Sequence, residues 1–255
     1  MIILKNDNLH IRRFEFKYLI HERQLDSIRN SISNFVTSDP FASLSVENYY
    51  QVSSIYFDDL NLNSYFEKLA GLKLRKKLRI RVYGKNIGDK AKAFLEIKRK
   101  DDVIVFKDRV SVSLAEARKI LEDSNYDLLP LGDNQKSSNS FISLFLRKRL
   151  FATVLVSYKR EAYFDKLNSS FRVTLDQNLR AKKVYGLDFD LDGAHEVIPN
   201  YAIIEAKFNR IMPAWFGMII KAKQLQRVPF SKYCFCLESC DIVLKNDLPK
   251  ESIWI

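Results

Sequence analysis

The sequence predicts an α+β fold built on a largely antiparallel sheet, and three observations carry that reading. About eight segments alternate apolar and charged residues with the two-residue period of a strand. Several are joined by turns short enough for hairpins, the Asp101-Asp102 pair being the tightest. Stretches with helical periodicity interrupt the hairpins instead of forming a separate block.

Taken in order, the first strand covers 11–19 and sets Phe14, Phe16 and Tyr18 against Arg13, Glu15 and Lys17. Over 21–35, Leu25, Ile28, Ile32 and Phe35 recur at helical spacing. A strand over 49–57 precedes a short helix over 61–69, entered after Asp58-Asp59. Residues 73–83 place Leu78, Ile80 and Val82 on one face and Arg79 and Arg81 on the other. A turn at 84–89 leads into a strand over 93–100, which Asp101-Asp102 reverses into 103–112. Ser113 and Glu116 have the spacing of a capping box, which starts a helix over 113–122. The stretch 127–140, with Pro130, Gly132 and three serines, reads as a loop before a helix over 141–150. Strands over 152–164, 170–180 and 201–208 follow, and then helices over 213–225 and 231–244. The charge pattern continues on both sides of the loop near 130, which argues for one sheet and a single domain over 1–255.

Composition narrows the function class. With 47% hydrophobic and 13% aromatic residues, seven Gly and six Pro, the chain can bury a substantial core and is not disordered. A net charge of +11 favours polyanionic partners: nucleic acid, phosphorylated small molecules or an anionic membrane. Cys234, Cys236 and Cys240 lack a CxxC pair and a neighbouring His, so they read as buried free thiols of a reducing cytoplasm and not as a zinc site. The N-terminus carries no signal-peptide core, and no apolar run approaches the ~18 residues of a membrane span. The sequence therefore predicts a cytoplasmic protein that does not cross a membrane by itself.

The polar faces are the unusual feature. Glu15-Phe16-Lys17, Glu96-Ile97-Lys98 and Glu205-Ala206-Lys207 repeat one spacing, which puts both charges on one side of a strand. Arg79 with Arg81, Lys107 with Arg109, Tyr158 with Arg160, and Arg172 with Thr174 and Asp176 share faces in the same way. A single pair of this kind is ordinarily a solvated surface feature. Repeated over seven strands, the faces form either an open charged surface or the lining of a barrel. Cations gathered inside a barrel need strongly negative company, because burying even one costs several kcal/mol. Phosphate chains supply it through Arg forks and Lys point charges, and carboxylates among them suit Mg²⁺ or Mn²⁺.

The ordered stretches Arg13-Phe14-Glu15-Phe16-Lys17-Tyr18, Ser54-Ile55-Tyr56-Phe57-Asp58, Leu78-Arg79-Ile80-Arg81-Val82-Tyr83-Gly84 and Phe94-Leu95-Glu96-Ile97-Lys98 carry a family resemblance. Ser157-Tyr158-Lys159-Arg160, Arg172-Val173-Thr174-Leu175-Asp176, Ile204-Glu205-Ala206-Lys207 and Phe230-Ser231-Lys232-Tyr233 complete the set over residues 11 to 240. The chain resembles the vacuolar transporter chaperone (VTC) polyphosphate polymerase domain of the triphosphate tunnel metalloenzyme, or CYTH-like, superfamily. The resemblance implies an eight-stranded antiparallel β-barrel, a triphosphate tunnel, decorated with helices. It implies phosphate contacts from Lys17, Arg79, Arg81, Lys98, Arg160, Arg172 and Lys232, and a hydrogen bond from Tyr158. Lys107 or Arg109, and Lys207, are further phosphate-binding candidates; Glu205, then Glu96 and Glu15, are candidate ligands for Mn²⁺ or Mg²⁺. Arg13 stands where many superfamily members have a carboxylate, which fits the polymerase branch better than the carboxylate-rich triphosphatases and cyclases.

The activity so implied is metal-dependent transfer of the ATP γ-phosphate to a growing polyphosphate chain. A tunnel triphosphatase and a non-catalytic polyphosphate-binding module are the alternatives. Nucleic acid is not an expected partner, since Phe14, Phe16 and Phe171 fall on the face opposite the cations. A separate membrane partner is compatible with the chain, and the oligomeric state is left open. Trp215 and Trp254 read as packing anchors, and Met212 to Ile220 as a core-facing helix.

Overall fold

The computed structural model describes residues 14–43, 48–102, 104–168 and 170–243. In chain order these form β1 (Phe14–His21), α1 (Leu25–Ile32), β2 (Val36–Ser38), α2 (Pro40–Ser43), β3 (Tyr50–Asp58), α3 (Asn63–Leu69) and β4 (Leu74–Tyr83). Next come β5 (Lys92–Asp101), β6 (Ile104–Ser113), α4 (Leu114–Leu121), α5 (Gln135–Arg147), β7 (Phe151–Asp165) and β8 (Arg172–Lys183). The chain continues through β9 (His195–Glu196), β10 (Tyr201–Phe208), α6 (Ala214–Ala222) and α7 (Lys232–Ser239).

The strands read from alternation are all present, and the Ser113–Glu116 capping box closes as expected. Residues 11–13 of the first expected strand, residue 103, residue 244 of the last expected helix and Trp254 lie outside the described residues. The expected loop over 127–140 is shorter than predicted, because α5 begins at Gln135. Its early turn hides a serine: Ser138 is buried and its hydroxyl donates to the Pro130 carbonyl at 2.9 Å, so a polar residue occupies a core-facing position. The helix expected over 21–35 ends at Ile32, and the short strands β2 and β9 were not expected.

One antiparallel sheet runs β1-β10-β8-β7-β3-β4-β5-β6, with β2 and β9 pairing off this path onto β7 and β8. The closed eight-stranded barrel implied by the resemblance is not formed. The edge strands β1 and β6 approach each other, but another segment occupies the free edge of β1. Val228 N–H donates to the Lys17 carbonyl at 2.9 Å, and Tyr18 bridges to Arg227. The sheet nonetheless curls tightly, since Lys98 of β5 reaches Glu15 of β1 at 3.1 Å across the seam.

Helices cover the convex side. Leu114, Ala117 and Ile120 of α4 and Phe141 of α5 pack on Leu78, Ile80, Leu95 and Val110. Ile28 and Ile32 of α1 and Phe216 of α6 pack on Phe171, Val173, Leu175 and Ile204. Each Leu, Ile, Val or Phe side chain so withdrawn from water contributes roughly 1.5–3 kcal/mol.

The concave side holds a helix too. A bulge between β7 and β8, with Asn178 at φ 49°, inserts one extra residue into β8. Up to Asp176 the even-numbered residues of β8 face inward; beyond the bulge Leu179 and Ala181 do so, and Arg180 turns away to the Ala194 carbonyl. This phase change makes one end of the concave face apolar. There Val52, Val154, Val156, Leu179 and Ala181 seat α7 through Tyr233, Cys234, Cys236 and Leu237. The three cysteines are free, as predicted; Cys234 and Cys236 are buried in this contact, whereas Cys240 at the end of α7 is only half-buried.

Candidate functional site

Beyond α7 the concave face becomes a cavity of about 2860 Å³ lined by charged side chains from seven strands and the N-terminus of α7. Ordinary small-molecule pockets run to roughly 300–1,000 Å³, so this one has room for more than a triphosphate. Of the candidates read from the sequence, Lys17, Arg79, Arg81, Lys98, Lys107, Arg109, Tyr158, Arg160, Arg172, Lys207, Lys232, Glu15 and Glu205 all line it. Glu96 does not: it is wholly buried behind Arg79 and Arg109.

Register explains the pairing. On β1 and β10, Lys17 lies opposite Glu205 and Glu15 opposite Lys207. Glu205 is the hub of this arc: Lys232 reaches it at 2.7 Å, Lys207 at 2.8 Å, Arg160 at 3.3 Å and Lys17 at 3.5 Å. Burial by itself would raise its pKa, but Lys207, Lys232, Lys17 and Arg160 overcome this and hold it well below the carboxylate range. On the opposite arc Glu96 sits in register between Arg79 of β4 and Arg109 of β6. It accepts from Arg79 Nε at 2.7 Å and Arg109 Nε at 2.6 Å, with Lys107 at 3.4 Å. Its pKa is depressed in the same way, with cations outweighing burial.

Several participants were not singled out in the sequence. Asp176 takes both fork nitrogens of Arg160 at 2.6 Å and Lys232 at 2.5 Å, which aims the two cations at Glu205. Asp39 holds Arg172 at 2.7 Å. Tyr56 accepts from Arg79 at 2.9 Å and Ser54 from Arg81 at 3.0 Å. Their alternation with Ile55 on β3 was the available signal, and Asp176 already shared a face with Arg172. Lys77, Lys98 and Lys107 stand opposite one another across β4, β5 and β6. Like charges in that position are destabilising unless an anion joins them. The Tyr158 oxygen accepts from Arg81 at 3.3 Å, which leaves its own proton to donate. Arg172 Nε and Thr174 Oγ1 are buried with no hydrogen-bond partner among the described residues.

No group of three or more His, Cys, Asp or Glu residues with metal-binding geometry occurs among the described residues. The donor chemistry still suits a hard cation mounted on one or two carboxylates and completed by substrate phosphates. Glu15 and Glu205 flank the Lys17 ammonium at 3.3 and 3.5 Å, so a cation already lies between them. Glu96, with no exposed surface and no place in the cavity lining, does not fit that role.

No curated protein sequence matches the chain significantly. Among solved structures, a Bacillus halodurans protein provisionally described as an adenylate cyclase is 14% identical with a TM-score of 0.51, over 86% of this chain and 94% of its own; at that identity the likeness concerns the fold. The PH1819 protein of Pyrococcus horikoshii is 13% identical with a TM-score of 0.45, over 89% of this chain and 99% of its own. The model of the VTC domain matches residues 12–240, nearly the whole chain, and the protein therefore belongs to the VTC domain family.

Proposed function

We propose that the protein is a polyphosphate polymerase that transfers the γ-phosphate of ATP to the end of a polyphosphate chain. The observation that carries this reading is the charge balance of the cavity. Ten Lys and Arg candidates line it and are met by five carboxylates, Glu15, Asp39, Glu96, Asp176 and Glu205. These groups alone leave a surplus of five positive charges, and further cations such as Lys76, Lys77, Lys100 and Arg227 line the same cavity, so the space calls for a polyanion.

In this reading Arg79, Arg81, Arg160 and Arg172 offer phosphate oxygens the N–H groups that their protein partners leave free, and Tyr158 donates to another. Lys17, Lys98, Lys107, Lys207 and Lys232 neutralise charge as the phosphoryl group moves. A terminal oxygen of the chain forms the new P–O bond to the γ-phosphorus. The bond from that phosphorus to the β–γ bridging oxygen breaks, and ADP leaves with the electron pair. The attacking oxygen is already ionised near neutral pH, so no protein base is needed. Glu205 with Glu15 would hold Mg²⁺ or Mn²⁺, which supplies further charge neutralisation on the phosphates. Glu96 instead aims Arg79 and Arg109.

Incubation with ATP and Mn²⁺ or Mg²⁺ tests the reading. Growth of chains detected by a polyphosphate-binding dye, with release of ADP, is expected. Free phosphate alone would identify a triphosphatase, and tight tripolyphosphate binding without turnover would identify a binding module.

A further inference from the structure

Beside Arg109 and Arg172 the cavity lining is aromatic. Tyr50 and Tyr83 meet edge to face at 5.8 Å, and Tyr83 meets Phe94 in the same way at 5.6 Å. Phe41 lines the same cavity and is 73% exposed; Tyr83 is 37% exposed. The rings are anchored from below by the phosphate-facing cations. Arg109 donates to the Tyr83 hydroxyl at 2.9 Å and lies over Phe94 at 4.2 Å. Arg172 donates to the Tyr50 hydroxyl at 3.4 Å and pairs with Asp39, two residues before Phe41.

A ligand made only of phosphate has no use for exposed rings. Water-facing aromatic surface beside fixed guanidinium groups suits a ligand with a flat π-face at one end and a phosphate chain at the other. From this juxtaposition we infer that Phe41, Tyr50 and Tyr83 form a stacking platform for the nucleobase of a nucleoside triphosphate, whose phosphates run inward past Arg109 and Arg172. The inference rests on the reading of the cavity as a phosphate-chain site. It adds that this site distinguishes a nucleotide from an inorganic phosphate chain. Stacking is tolerant of base identity, because every base presents a π-face, so ATP and GTP bind alike.

Calorimetric titration of the full chain with ATP, GTP and inorganic tripolyphosphate tests this. ATP and GTP are expected to bind within a few-fold of each other and roughly tenfold more tightly than tripolyphosphate. Phe41→Ala and Tyr83→Leu should each remove most of that advantage while tripolyphosphate affinity stays within about twofold, and Tyr83→Phe should keep it. Phe41 is exposed, so Phe41→Ala provides a variant whose folding is not in question. Equal affinity of the wild-type protein for ATP and tripolyphosphate, or parallel loss of both ligands in Phe41→Ala, would overturn the platform and leave the phosphate site standing. Failure of all three ligands to bind would overturn both.

Discussion

Glu205 and Glu96 occupy matching places in the sheet, one strand in from either edge, and each is ringed by cations that hold its carboxylate ionised. They differ in what can reach them. Glu205 opens onto the cavity and is served by flexible lysines from β1, β10 and α7. Glu96 has no exposed surface and is clamped by two arginines in register on either side. Lysines offer mobile point charges that can be redirected to a ligand, whereas arginine forks fix geometry. On the proposed function the Glu205 arc is the working centre, and the Glu96 arc is a rigid wall that presents Arg79 and Arg109 at a set angle.

Substituting each carboxylate by its amide is the strongest way to break this comparison. Glu205→Gln is expected to lower metal-dependent turnover by roughly 10²–10³-fold, the scale seen when one preorganised electrostatic group is removed. Tripolyphosphate should still bind, because the cations remain. In Glu96→Gln the response to Mg²⁺ or Mn²⁺ should persist. Loss of metal stimulation in Glu96→Gln, with retention in Glu205→Gln, would reverse the assignment.

The second effect is on stability. Glu96→Gln takes the counter-charge from Arg79, whose side chain is 12% exposed, and from the more open Arg109, at 31%, at an expected cost of about 2–3 kcal/mol. For a chain of this size that lowers Tm by roughly 10 °C, readable by calorimetry. A Tm within a few degrees of wild type would mean that Arg79 and Arg109 find solvent, and that the wall is softer than the burial of Glu96 implies.

The difference between the arcs was only partly legible in the sequence. Alternation on the strands revealed which residues share a face, so the strand-borne cations named from it and most strand boundaries could be read from two-residue spacing, whereas Lys232 of α7 came only from the family resemblance. Alternation carries no information on depth, however. Glu96-Ile97-Lys98 and Glu205-Ala206-Lys207 look identical as motifs, and only the registers of β4 and β6 reveal that Glu96 is flanked by arginines. Closure was misjudged for a related reason: the 227–230 segment that takes the edge of β1 has no strand pattern to betray it. The apolar seat for α7 was hidden by the bulge at Asn178, since a one-residue phase change inverts every later inward position of the strand.

The smallest expected effect concerns proton binding in the Glu205 arc. Burial pushes the Lys207 ammonium down to about 8, against the pull of Glu205. Lys107 is pushed the same way, also to about 8, but its side chain is 43% exposed, so the weight of the effect falls on Lys207, at 17%. A lysine whose folded pKa lies below its unfolded value near 10.4 binds fewer protons in the folded state over that interval. Its contribution to stability must then rise as pH climbs from about 8 to about 10.4, and it is unfavourable below. Lys207→Met should accordingly stabilise the ligand-free protein at pH 7 by about 1–2 kcal/mol, with the gap closing in melts towards pH 10. Polyphosphate reverses the sign, because a bound anion favours the ammonium: binding near pH 8.5 should take up protons in the wild-type protein and fewer in Lys207→Met. A melting gap that stays constant from pH 7 to 10 would show that the ammonium is fully compensated by Glu205 even in the empty cavity. The arc would then be as rigid a wall as the one around Glu96.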